Sequence, residues 1–114
     1  MDESAGSDMQ EKMAEYAQAV LRGKTGKAGF INFAVKINKE CDCWGMDNPR
    51  IAPDVGVLAS ADPVSLDKAS FDLVNRACAK DIFRETHPGQ DPMVQLEYAH
   101  QLGLGNVDYE LVTL

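Results

Sequence analysis

Apolar residues recur at helical spacing through Met9, Met13, Tyr16, Ala17, Val20 and Leu21, with Ser7 and Gln10 at capping-box separation ahead of them. This predicts an amphipathic helix from Ser7 that ends at Gly23. Residues 1–6 carry charge and small side chains without periodicity and are expected to form a disordered N-terminus. Gly29 to Ile37 (GFINFAVKI) then alternates strictly, with Ile31, Phe33, Val35 and Ile37 on one side and Phe30, Asn32, Ala34 and Lys36 on the other. The alternation predicts a strand that buries the first set. Asp54 to Ser60 (DVGVLAS) has the continuous apolar centre of a strand covered on both faces.

The second half of the chain reads as helices. Asp62-Pro63 offers an N-cap followed by proline at the first helical position, and Leu66, Ala69, Leu73 and Ala77 form a stripe flanked by Phe71, Val74 and Cys78. Asp81 to Thr86 is expected to add a short helical turn, stopped at His87-Pro88-Gly89. Asp91-Pro92 opens a further helix, carrying Met93, Leu96, Ala99 and Leu102 to a cap at Gly103. Tyr109 to Leu114 (YELVTL) reads as a third strand.

This order predicts an α/β class: a single domain over residues 7–114, with a small three-stranded sheet packed against about three helices. So thin a sheet leaves an exposed edge, which invites pairing with another chain or with the rest of a parent protein. The chain is therefore expected to be a homo-oligomer or a fragment of a larger α/β protein.

Composition narrows the function classes. A net charge of -7 in 114 residues argues against nucleic-acid and anionic-membrane binding, since phosphate recognition needs a basic patch to displace counterions. The sequence has no apolar run of the length needed to span a bilayer, and its acidic start lacks the character of a signal peptide. Three cysteines, an odd number, fit a reducing compartment better than a disulfide framework. A cytoplasmic location is expected.

The candidate chemistry centres on the long loop at 38–53, which contains Cys41-Asp42-Cys43 and the only tryptophan, Trp44. Loops of this length inside a compact domain are usually functional or disordered, and Trp44 and Ile51 argue for a packed one. Cysteines at i and i+2 on an extended backbone project to the same side, so Cys41 and Cys43 can grip one metal ion together. Nearby carboxylates, Asp42 and Asp47 among them, disfavour a bare thiolate, whereas a bound cation reverses that penalty and draws them in as ligands or outer partners. Structural zinc takes four ligands and iron-sulfur clusters usually take four cysteines. Cys78, His87, His100, a carboxylate or a second copy would have to complete the shell. Ordinary loop thiols under Trp44 and a redox pair are the other readings of this triplet.

A second group of candidates lies near the turn at 60–67. Asn32, Ser60, Asp62 and Asp67 are candidates to surround a small-molecule rim pocket of an enzyme domain; ligands bind outside the carboxyl ends of parallel strands, and if the first two strands are parallel the cysteine loop and the Ser60–Asp62 turn lie on one rim. If the strands are antiparallel, the cysteine loop and the Ser60–Asp62 turn lie at opposite ends. Asp62 serves first as a helix cap, and Asp72 is expected on a solvated face. His100, beside Glu97 and Gln101, reads as solvated too. Gly-Lys-Thr at 23–25 is not a phosphate loop, because Gln18 stands where the first glycine is needed and a helix precedes where a strand should. Gly103-Leu104-Gly105-Asn106 follows a helix and is in the wrong context for a dinucleotide loop.

The stretches EKMAEYAQAVL, GFINFAVKI, CDCWGMDNPRIAPDVGVLASADPVSLDKASFDLVN and QLEYAHQLGLG, in this order from about Glu11 to the end, resemble the C-terminal part of the domain-of-unknown-function 362 family. Proteins of that family are often described as iron-sulfur proteins, and many carry a ferredoxin-like segment of closely spaced cysteines. The resemblance implies a piece downstream of such a segment. It strengthens the reading of Cys41 and Cys43 as ligands of an iron-sulfur cluster, iron or zinc, and it carries no catalytic residue over.

Overall fold

The computed structural model describes residues 3–39 and 49–114, with side chains from residue 7 onward. Four helices and two strands follow one another as α1 (Glu3–Leu21), β1 (Phe30–Ala34), β2 (Gly56–Ser60), α2 (Pro63–Cys78), α3 (Ile82–Thr86) and α4 (Met93–Gln101). The class is α/β. Helix α1 begins at Glu3, ahead of the cap expected at Ser7.

Helix α2 is the element on which the rest is built. Its N-terminus is closed by Asp62 in extended conformation, with Pro63 next, where a missing N–H costs nothing. Its C-terminus is closed by Ala79 in the left-handed region (φ 56°), with the N–H of Ala79 bonded to the Arg76 carbonyl and that of Lys80 to the Asn75 carbonyl. Val64 near its start belongs to a core cluster with Ala14, Leu96 and Ala99. Val74 near its end belongs to a second cluster with Ala34, Ala52 and Ile82. The helix thus joins an all-helical half to a hairpin half.

In the helical half, α1 and α4 run parallel, in a register set by polar side chains. Gln10 donates to the Asp91 carbonyl at 3.0 Å and accepts the Gln95 N–H at 3.1 Å, satisfying a free donor of the first turn of α4. Further along, the Tyr98 hydroxyl donates to Glu15 at 2.6 Å, and Gln18 donates to the Leu102 carbonyl at 3.1 Å.

In the other half, β1 and β2 pair antiparallel, with Phe30 opposite Ser60 and Ala34 opposite Gly56. Three expectations are corrected here. The sheet of the described residues has two strands rather than three, because Tyr109 to Leu114 pairs with no edge and stays irregular. Strand β1 stops at Ala34 rather than Ile37, because Lys36 takes a left-handed conformation (φ 53°) and its N–H turns to the Asp54 carboxylate at 2.8 Å. The buried face of β1 is also the opposite one: Asn32 and Ala34 face α2, while Ile31 is 61% and Phe33 69% exposed.

The break at Lys36 explains how the alternation misleads. Ile37 lies beyond the break and packs with the hairpin core, whereas Ile31 and Phe33, on the same side in an unbroken strand, point outward. Strand β2 is likewise covered on one face only, with Val57 61% exposed opposite Phe33.

Candidate functional site

The antiparallel pairing separates the two groups of candidate residues. The long connection leaves the Ala34 end of the hairpin, and Ser60 and Asp62 lie at the other. Cys41, Asp42, Cys43 and Asp47 fall outside the described residues. The ends of their loop are held. Asn38 and Arg50 form an antiparallel bridge, and the Ile51 N–H bonds to the Ile37 carbonyl at 2.9 Å.

Two side chains of kinds that can ligate a metal reach those ends. The His87 imidazole, just after α3, places Nε2 3.2 Å from the Lys39 carbonyl, and the Cys78 thiol, in the last turn of α2, lies 3.9 Å from the Ile51 carbonyl. His100 is elsewhere, with Nδ1 2.8 Å from the Gly105 carbonyl. Among the described residues no three His, Cys, Asp or Glu side chains converge as a metal site.

Ser60 and Asp62 are occupied by the backbone. The Ser60 hydroxyl accepts the Asp62 N–H at 2.9 Å. Asp62 Oδ1 accepts the N–H of Val64 at 2.9 Å and of Ser65 at 3.0 Å, and Oδ2 accepts that of Asn106 at 2.9 Å. Partial burial pushes this carboxyl up, but the N–H groups of Ser65, Asn106 and Val64 and the Ser65 hydroxyl together outweigh it and hold the group below its ordinary value. Asp62 therefore ties the segment after α4 to the start of α2.

Asn32 and Asp67 do meet. Asp67 and Ser70 share one face of α2 at i and i+3, and the Asn32 amide donates to the Asp67 carboxylate at 2.8 Å and to the Ser70 hydroxyl at 3.1 Å. Asp67 and Ser70 form one wall of a cleft of about 420 Å³ whose other walls include Met13 of α1, Phe71 of α2, Phe83 of α3 and His87. An apolar body with a few converging polar groups is the usual make-up of a small-ligand site. Ser70 was readable only as the residue one turn after Asp67; His87 carried a signal as a potential ligand, though none that placed it in the cleft.

Asp72 keeps its side chain 29% exposed, but both of its oxygens have partners. It pairs with Lys68 at 2.6 Å and accepts the Tyr109 hydroxyl at 2.7 Å, and that bond, more than the accompanying burial and negative charge, raises the tyrosine above its ordinary range. Ser65 carried no signal in the sequence; its hydroxyl donates to the carbonyls of Asn106 at 2.6 Å and Asp108 at 3.2 Å. Among the described residues no helix is long and apolar enough to cross a membrane.

No curated protein and no solved structure matches the chain. The model of a domain of unknown function (DUF362) matches residues 1–72, the N-terminal part of the chain and more than half of it, running through α1, both strands and α2 as far as Asp72. The chain belongs to the DUF362 family.

Proposed function

We propose that this chain is a metal-binding or redox-associated module in which Cys41 and Cys43 hold an ion together with Cys78 and His87. The observation that carries the reading is the approach of Cys78 to Ile51 and of His87 to Lys39, which brings a thiol and an imidazole to the two ends of the Cys-Asp-Cys loop. Three thiols and one imidazole make a donor set suited to zinc or a single iron. An iron-sulfur cluster would draw a further thiolate from outside, since the chain has three cysteines. The bound ion would keep the thiols ionised in spite of Asp42 and Asp47, which then serve as outer partners.

A cytoplasmic, reducing setting would keep the thiols available. A chain corresponding to the C-terminal part of the family's proteins would have a ferredoxin-like segment as its electron-exchange partner. The test is metal content of the anaerobically purified chain, with the absorption of its cobalt form as a second readout. Near-stoichiometric metal and a thiolate-to-cobalt band, both reduced in Cys78→Ser and His87→Ala and lost in Cys41→Ser/Cys43→Ser, are expected. Metal content that ignores Cys78 and His87 overturns this ligand set.

The cleft beside Asp67 favours a second reading, a domain with a small-molecule site on α2. A carboxylate beside Met13, Phe71 and Phe83 suits an organic cation with an apolar body. Benzylammonium titrated against the chain should shift the amide resonances around Asp67 and His87 saturably, and Asp67→Asn should abolish the effect. A response that is linear in ligand, or unchanged in Asp67→Asn, removes this reading.

A further inference from the structure

The segment Glu110–Leu114 is exposed along its whole length, with Val112 at 70%, and among the described residues no hydrogen bond holds it. Its root, by contrast, is fixed. Ser65 bonds to the Asn106 and Asp108 carbonyls, and Tyr109 bonds to Asp72. An apolar strand-like stretch thus projects from a rigid anchor, so ordering it costs little beyond its own residues.

The complementary feature is on the same molecule. β1 and β2, five residues each, form a sheet that has no third strand among the described residues, so each strand leaves one edge unpaired. Neither FINFA nor GVLAS contains a charge or a proline, the usual means of blunting an edge. The outward face of this hairpin is apolar through Ile31, Phe33 and Val57. A third strand with Val112 and Leu114 on that side would extend the same surface.

The tail pairs with neither strand of its own hairpin. Ser65 and Asp72, seven positions apart, share one side of α2, and by helical geometry Asp67 and Ser70, which hold Asn32 of β1, lie roughly 140–160° around the axis. Asn106 is held by Asp62 near the Ser60 end of the hairpin, whereas Tyr109, from which the tail departs, is held by Asp72 on the side of α2 away from Asn32.

We propose that Glu110–Leu114 of one copy adds as a third strand to a free edge of the β1–β2 hairpin of a second copy, and that the exchange is reciprocal, closing a two-fold dimer. Main-chain hydrogen bonds supply the pairing, as in other cases of strand addition. Two-fold closure uses both tails and leaves one edge on each hairpin unused. The net charge of -7 on each copy opposes association, so raised salt tightens the dimer.

The test is sedimentation equilibrium of the full chain, of a chain ending at Tyr109, and of Val112→Pro, which removes a ladder donor from an exposed segment. Both variants keep Tyr109 and Asp72, and equal thermal melts of dilute samples check that they fold. The full chain is expected to be dimeric at tens of micromolar, and both variants to dimerise at least tenfold more weakly. A full chain that stays monomeric overturns the proposal. So does a variant that loses less than tenfold, since packing through the Ile31–Phe33 face would survive both changes.

Discussion

The Asp62 carboxylate lies against Gly105 so closely that its Oδ1 and Cγ fill the space a Cβ at position 105 would need. Residue 105 has to be glycine for steric reasons, because the carboxylate is already held by three backbone N–H groups and has nowhere to go. Gly105→Ala is expected to destabilise the chain by about 1–3 kcal/mol, as overpacking does. Asp62→Ala is expected to cost about 1–2 kcal/mol as a lost cap. Urea melts of the single and double variants should show the double costing less than the sum, because without the carboxylate the alanine methyl fits. Strict additivity would remove the steric argument.

The same carboxylate sets an acid limit. Its folded value is depressed below the ordinary 3.8, so the stabilisation it contributes is fully present above that value and is lost as pH falls through the folded value. Thermal melts of the wild-type chain should fall more steeply below about pH 4 than those of Asp62→Asn, which cannot titrate there. Parallel acid limbs would show that other carboxylates govern the acid transition.

At alkaline pH the sign reverses for Tyr109. Its hydroxyl is raised above the ordinary 10.0, first by the hydrogen bond to Asp72, so its contribution is whole below that value and is lost as pH climbs through the folded value. Tyr109→Phe should flatten this alkaline loss and cost under about 1 kcal/mol at neutral pH. Ultraviolet titration of the phenolates checks it directly: one tyrosine fewer should ionise late in the variant.

Ala79 closes α2 in the left-handed region, where a Cβ is strained. Ala79→Gly should stabilise the chain by about 0.5–1 kcal/mol in chemical denaturation. A loss of stability would mean that the alanine methyl has a packing role that outweighs the strain.

The inverted parity of β1 makes neighbours behave oppositely. Phe33→Ser, on the exposed face, is expected to change the stability of dilute protein by no more than about 0.5 kcal/mol. Ala34→Asp places a carboxylate in the cluster with Val74 and Ile82 and should cost several kcal/mol. Equal sensitivity at both positions would show that the outer face is covered too.

Local signals placed the helices. Asp62-Pro63 caps α2 as its chemistry demands, and the helical spacing from Met9 to Leu21 and from Met93 to Leu102 corresponds to α1 and α4. Capping and periodicity act within a few residues, so a linear chain displays them. The α/β class followed from the same order of elements. The facing of β1 was not legible, because alternation names two faces and leaves open which one a partner covers. A single left-handed residue, Lys36, then moved Ile37 to the other side. Nor was the site. Asn32, Asp67 and Ser70 converge through contacts 35 or more residues apart in the chain, and the second oxygen of Asp62 accepts the N–H of Asn106, 44 residues away. The sequence by itself determined the Asp62 cap of α2, the helical stripes and the donor types of the Cys-Asp-Cys loop, all properties of near neighbours. Only the tertiary structure decided which polar groups are spent holding the chain together and which line a cleft, because that depends on which distant backbone donors arrive first.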